Sequence, residues 1–281
     1  MSVMSSNGVQ LAVHDFGGRG PTLLLSHATG FHGHCYLPIA QALADRFHSV
    51  AFDYRGHGDT PLPADPLERE IDWNRYGDDA QAAATATRHV AGVPIVGFGH
   101  SMGAACLLMA AHRDPSLFER LVVFEPIVFP PAETRPRPSE SPLSARARRR
   151  RTTFPSFAAA IANFAAKPPL NGFTPAALDA YVRFGFAAGG DGQVHLKCDP
   201  ETEAGTFDRG GLHRAWDLID QIDIPVMVVA GHPAEMQPSS IAAQVAERIP
   251  NGTYVQLDDL DHFGPMTQPD VIAALISNFT S

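Results

Sequence analysis

The stretch Val93-Pro94-Ile95-Val96-Gly97-Phe98-Gly99-His100-Ser101-Met102-Gly103-Ala104-Ala105-Cys106-Leu107-Leu108-Met109-Ala110-Ala111 decides how the chain is read. It opens on a short apolar run of strand type and closes on a run of good helix formers. Between them, Gly99-His100-Ser101-Met102-Gly103 matches the pattern Gly-x-Ser-x-Gly. Strand, tight turn and helix are the context in which that pattern forms a nucleophile elbow. The turn must hold Ser101 in a strained backbone conformation so that its hydroxyl projects. Gly99 and Gly103 leave room where Cβ atoms would meet the neighbouring strand and helix. The helix that follows aims its unpaired N–H groups and positive dipole end at charge developing beside Ser101.

Working outward, the chain alternates strand-like and helix-like segments. Upstream lie an edge strand over 9–16, a buried strand over 22–26, a helix over 37–47, a buried strand over 49–53 and an alanine-rich helix over 76–90. Downstream lie strands at 121–124, 225–231 and 253–257, with helices at 239–248 and 271–279. This alternation predicts right-handed crossovers and a doubly wound, mostly parallel sheet. Residues 130–142 are instead rich in proline, serine and charge, so no sheet element is expected there. Phe154, Phe157, Ile161 and Phe164, then Leu178, Tyr181, Val182 and Phe186, recur at helical spacing. The expected organisation is an α/β core over 1–129 and 216–281, interrupted by a mainly helical insertion over 130–215.

Composition narrows the function classes. At 281 residues, with 44% hydrophobic and 18% charged residues, the chain is long enough for one large domain and is ordinary for a globular protein. The net charge of -9 argues against nucleic acid as a partner, because a phosphate backbone calls for a basic face. Arg146-Ala147-Arg148-Arg149-Arg150-Arg151 is a short basic run, read as a solvated helix face. Cys35, Cys106 and Cys198 are widely separated and odd in number, which suits a reducing compartment. With neither an apolar leader nor an 18-residue apolar stretch, a cytoplasmic location without membrane partners is expected. Oligomeric state has no signal in the sequence.

Taken together, His27-Ala28-Thr29-Gly30, Asp53-Tyr54-Arg55-Gly56-His57-Gly58, Gly99-His100-Ser101-Met102-Gly103 and the late Asp261-His262-Phe263 resemble an α/β-hydrolase-fold protein. The resemblance covers nearly the whole chain apart from the insertion. In that family the insertion after the sixth core strand caps the active site, which implies the same for 130–215. It also implies that His27 is the structural histidine of the oxyanion turn, that Asp53, Arg55 and His57 brace a loop, and that His100 is an ordinary elbow residue.

Mechanism follows from need. A serine hydroxyl is a poor nucleophile at neutral pH, so a base must take its proton, and histidine is suited to that. Of 13 histidines, His262 is the candidate, because it follows the last strand, where sheet order brings it to the edge that carries Ser101. His32 and His34 have a spacing that suggests a metal pair, but no further ligands accompany them, and neither metal nor cofactor is expected. The base needs a carboxylate to hold its tautomer. The resemblance places that acid in the loop after the strand at 226–230, usually as aspartate. Here the loop reads Gly231-His232-Pro233-Ala234-Glu235, so Glu235 is the first candidate. The second is Glu125, at the end of the preceding core strand, where some lipases of the fold carry their acid. Asp258, Asp259 and Asp261 read as turn residues. The oxyanion donors are expected to be the backbone N–H of Met102 and, by resemblance, of Thr29.

The function expected is a serine hydrolase that cleaves a carboxylic ester of a small or medium apolar substrate through an acyl-enzyme. Lactone or carbon–carbon bond hydrolysis and cofactor-free perhydrolysis stay open on the same triad. So does a ligand-binding or sensor protein that keeps the pocket with little turnover.

Overall fold

A computed structural model describes residues 2–131, 141–235 and 237–280. Most of the proline- and serine-rich stretch after residue 130 therefore lies outside the described residues. Strands β1 (Ser2–Met4), β2 (Gln10–Gly18) and β3 (Thr22–Ser26) are followed by α1 (Leu37–Ala42), β4 (His48–Phe52) and α2 (Trp73–Ala91). Next come β5 (Ile95–His100), α3 (Met102–Arg113) and β6 (Phe118–Phe124). The chain then forms α4 (Pro142–Arg148), β7 (Thr153–Phe154), α5 (Phe157–Ala165), α6 (Pro175–Gly185), β8 (Phe186–Ala188), β9 (Val194–Leu196) and α7 (Pro200–Arg209). It closes with β10 (Val226–Ala230), α8 (Ala242–Arg248), β11 (Gly252–Gln256), α9 (Gly264–Thr267) and α10 (Pro269–Phe279).

Eight strands make one sheet in the order β1-β2-β4-β3-β5-β6-β10-β11, parallel from β4 to β11. The side-chain period of two separates its faces. Leu24 joins the core layer beneath α2, α3 and α8, while its neighbours Leu23 and Leu25 join the opposite layer with α1 and α10. All six residues of β5 are buried, as a central strand covered on both faces requires. Ten of the twelve residues of α3 are buried too, so its apolar character all round reflects packing on every side. The α2 helix starts where the Asp72 carboxylate accepts from the Asn74 N–H and stops at Gly92, whose φ of 73° turns the chain.

Three sequence expectations change. The strand at 10–18 is not the edge, because β1 pairs outside it over Ser2–Met4. The first helix ends at Ala42, and Leu43 and Phe47 are buried from turns rather than from helix. Among its described residues the segment between β6 and β10 carries four α-helices, but also a separate antiparallel sheet in the order β7-β9-β8. Its strands are two or three residues long, too short for alternation to show.

The chain leaves β3 toward β4 on one side and returns to β5 on the other. In open α/β sheets a crevice forms at the carboxyl ends of the strands flanking such a reversal. His27 directly follows β3 and Ser101 directly follows β5, so both stand at that point.

Candidate active site

The elbow is built from backbone clearance. Ser101 sits at φ 57°, ψ -114°, between the last residue of β5 and the first of α3. A Cβ on Gly103 would lie 2.3 Å from the Ser26 carbonyl oxygen, and one on Gly99 would lie 2.6 Å from Ala104 Cα. Both glycines therefore let α3 start hard against β3 and β5. Ser101 N–H donates to the Phe124 carbonyl at 2.9 Å, and its own carbonyl accepts from Ala105 N–H at 3.2 Å and Ile127 N–H at 3.3 Å. These bonds hold a conformation that costs about 1–3 kcal/mol in isolation. The Ser101 residue is 5% exposed.

One residue beyond the register pair His100↔Phe124 stands Glu125, also strained at φ 44°. Its N–H donates to the Val229 carbonyl at 2.8 Å. Oε2 accepts from His262 Nδ1 at 2.6 Å, and Oε1 accepts from the Gly231 N–H at 2.9 Å. Each carboxylate oxygen thus has its own donor in a site where the side chain is 1% exposed. Because Nδ1 carries the proton toward Glu125, Nε2 of His262 is left as the acceptor. No described hydrogen bond joins that ring to Ser101 Oγ.

Glu235 is not brought to His262. It is exposed and has no described hydrogen bond or ion pair. The loop that carries it is tied elsewhere, His232 N–H to the Leu260 carbonyl at 2.7 Å and Ala234 N–H to Ser239 Oγ at 3.1 Å, which turns Glu235 to the surface. The expectation of Glu235 as the partner of His262 is therefore corrected to Glu125, and Gly231, at the start of the loop that carries Glu235, donates its N–H to that carboxylate. Asp261 is a turn residue as expected, accepting from Phe263 N–H at 2.8 Å.

Across from α3 lies the turn after His27. Tyr54 N–H donates to His27 Nε2 at 3.0 Å, so Nδ1 carries the hydrogen and donates to the Ala28 carbonyl at 2.8 Å. Burial first, then the field of His57, lowers the His27 pKa to about 3, which keeps this neutral arrangement. Pulling the Ala28 carbonyl toward His27 points the Thr29 N–H the opposite way, because the peptide is planar and trans. No described acceptor takes that N–H. Met102 N–H, in the first turn of α3, likewise has no partner within its helix.

His100 does more than fill the elbow. Ala28 N–H donates to Tyr36 Oη at 3.1 Å, Tyr36 O–H to His100 Nδ1 at 2.8 Å, and His100 Nε2–H to the His262 carbonyl at 2.8 Å. This directed chain ties the turn before Thr29 to the backbone of His262. Burial, with a smaller contribution from His262, pushes the His100 pKa well down and keeps the neutral tautomer that the chain needs. Tyr36 carried no signal in the sequence, since an isolated tyrosine in a helix start is ordinarily core.

The wall beside His262 is aromatic. Phe31 lies 6.1 Å from Phe173, 5.5 Å from Tyr181 and 6.4 Å from Phe263, ring centroid to centroid. Phe173 and Tyr181 come from the segment between β6 and β10, so that segment packs on the site.

The remaining polar candidates are structural in their contacts. The Asp53 carboxylate takes His14 Nε2 at 2.9 Å and the N–H groups of Gly33 and Asp59. Burial alone would raise its pKa, yet the hydrogen bond and fields of His14, His27 and His32 together hold it well below the ordinary range. Arg55 clamps Asp79 through Nε at 2.9 Å and Nη2 at 2.6 Å. His32 Nε2 lies 3.1 Å from the Tyr181 carbonyl, while His34 stacks on Phe184 at 3.8 Å, so the two rings are engaged separately. His14, Asp53 and Asp59 come together with ligand-type atoms within 4.8 Å of one another, but Lys197 Nζ binds Asp59 at 2.6 Å and neutralises it. The basic run divides: Arg148 meets Glu201 and Asp208 on α7, whereas Arg150 turns inward to Glu203 and Tyr181. No helix among the described residues is long and apolar enough to cross a membrane.

The comparisons with known proteins agree with this fold. The 2-(acetamidomethylene)succinate hydrolase of Mesorhizobium japonicum is 26% identical over 262 residues, covering 93% of this chain and 88% of that protein. A crystal structure of E-2-(acetamidomethylene)succinate hydrolase superposes with a TM-score of 0.79 at 24% identity, covering 100% of this chain and 98% of the other. The enol-lactonase from Burkholderia xenovorans LB400 superposes with a TM-score of 0.70 at 21% identity, covering 98% and 97%. Residues 23–275 match the model of the alpha/beta hydrolase family. The sheet order, the strained serine at the end of β5 and that match together place the chain in the alpha/beta hydrolase family.

Proposed function

We propose that the protein is a serine hydrolase that opens a carboxylic ester or a related acyl bond through an acyl-enzyme. The observation that carries this is the 2.6 Å hydrogen bond from His262 to the buried Glu125 carboxylate, at the sheet edge that carries a serine strained at φ 57°. Ser101 Oγ attacks the acyl carbon while its proton passes to His262 Nε2, whose cation Glu125 stabilises. The carbonyl oxygen gains negative charge and meets the N–H groups of Met102 and Thr29. His262 then protonates the leaving oxygen, and water repeats the cycle in reverse to free the acid. The aromatic wall suits the uncharged part of an acyl or alcohol group. The relatives reported above are named as hydrolases, which supports hydrolysis as the reaction class. The Glu125 carboxylate hydrogen-bonded to His262 favours turnover over the alternative of a binding protein that keeps the pocket.

The test is hydrolysis of p-nitrophenyl esters across acyl lengths. Ser101→Ala and His262→Ala are expected to lower kcat by at least about 10³-fold. Glu125→Gln is expected to lower it by about 10²–10⁴-fold through loss of the proper tautomer, and Glu235→Gln to lower it by less than about twofold. A wild type that turns over no ester or thioester and leaves Ser101 unlabelled by a phosphonate would sink the proposal.

A further inference from the structure

The insertion places one charged pair against the turn that carries Thr29. Arg150, just after α4, directs Nη1 to Glu203 Oε2 on α7 and Nη2 to the Tyr181 hydroxyl on α6. Their side chains are 18% and 8% exposed. Both lie over Gly30: a Cβ there would stand 2.5 Å from Glu203 Oε1 and 3.3 Å from Arg150 Nη1. Gly30, at φ 75°, is the residue after Thr29, so the guanidinium is one residue from a proposed oxyanion donor.

Burying an ion pair stabilises a fold only where the remaining donors are satisfied. A guanidinium has five N–H donors in a fixed fork. The described bonds occupy one on each Nη, which leaves Nε–H and two further hydrogens without a described acceptor. Two groups already fix its plane, Glu203 from one side and Tyr181 from the other, and its position beside the turn is preorganised rather than mobile. A planar carboxylate offers two oxygens that match such a fork, in a setting where water is scarce and charge-assisted bonds are strong.

We propose that Arg150 is an anion subsite of this pocket, so that the acyl substrate carries a carboxylate which Arg150 holds beside the Thr29–Gly30 turn. Glu203 and Tyr181 are positioning residues that orient the guanidinium. This rests on the hydrolase proposal for where the substrate lies, and it replaces the wholly apolar substrate expected from sequence with one that is apolar on the aromatic side and anionic on the Arg150 side.

The experiment compares monomethyl succinate, monomethyl glutarate and methyl butyrate as substrates, and titrates succinate into Ser101→Ala by calorimetry. Wild type is expected to favour a half-ester over methyl butyrate in kcat/KM by about 10²-fold, with the difference mainly in KM. Arg150→Gln should collapse that ratio to within about threefold, Arg150→Lys should keep part of it, and succinate binding to Ser101→Ala should disappear when Arg150→Gln is added. Should Arg150→Gln fail to fold, Arg150→Gln with Glu203→Gln removes both charges together and takes its place. A ratio unchanged by these variants, or a wild type that prefers methyl butyrate and binds no succinate, overturns the anion subsite while leaving ester hydrolysis standing. Succinate bound through Arg150 by a protein that cleaves none of these esters, no p-nitrophenyl ester or thioester, and leaves Ser101 unlabelled by a phosphonate would uphold the subsite and overturn the hydrolase proposal.

Discussion

Tyr36 shows how one hydroxyl can serve two halves of a site. Its oxygen accepts from Ala28 N–H and its hydrogen goes to His100 Nδ1, and among the described residues neither group has another partner. Tyr36→Phe leaves a buried donor and a buried acceptor unsatisfied, each at a cost of about 1–3 kcal/mol. The expected outcome is a stability loss of about 2–4 kcal/mol in urea titration, together with a kcat lowered about tenfold or more at little change in KM, because the turn before Thr29 and the His262 backbone lose their common tie. A folded variant with unaltered kcat would show that the chain of bonds is structural only. The placement of Ser101 between a strand and a helix, and of His262 close to it in the fold, was legible in the sequence, because the elbow pattern sits in a recognisable context and a parallel sheet gathers the ends of its strands at one edge. Glu235 and Glu125 were not separable there. Both follow a core strand, and which one faces His262 depends on how two loops are tied down.

Between elements, the Arg55–Asp79 clamp connects the turn after β4 to the middle of α2. Asp79 is fully buried and also accepts from the Arg55 N–H at 3.1 Å and Ser5 Oγ at 2.6 Å, so it joins the N-terminal segment to the same point. Removing one partner strands the other charge in the interior. Asp79→Ala should therefore destabilise by about 3–5 kcal/mol, and Arg55→Met with Asp79→Leu should cost clearly less than either single change. Equal losses in the single and double variants, measured by urea unfolding, would contradict the clamp. The element pattern itself was mostly readable: buried parallel strands are continuous apolar runs, and the β3 strand at 22–26 falls where the sequence places it. The small sheet of β7, β8 and β9 was not readable, since its pairings are made by segments too short to carry a period.

Taken as a unit, the protein buries several neutral histidines around its site. His27, His32, His57 and His100 are all depressed below the ordinary imidazole value, chiefly by burial. A lowered native pKa means that the unfolded chain binds protons that the native state refuses, so stability falls as pH drops below about 6.5. For His27, lowered to about 3, the loss runs from pH 6.5 toward pH 3 at roughly 1.4 kcal/mol per pH unit. Denaturant midpoints measured between pH 7.5 and 4.5 should decline steeply below pH 6, and a flat profile would contradict neutral burial of these rings.

What the sequence determined by itself was the order of the core strands and helices and the strand–turn–helix at Ser101, because these follow from periodicity and backbone clearance. What only the tertiary structure decided was the choice of partners. Glu125 rather than Glu235 meets His262, Arg150 rather than its neighbours turns inward, and Tyr36 joins two loops. Each of these depends on contacts between residues far apart in the chain, set by strand register and loop anchoring, and no local pattern encodes which of several like side chains will point inward.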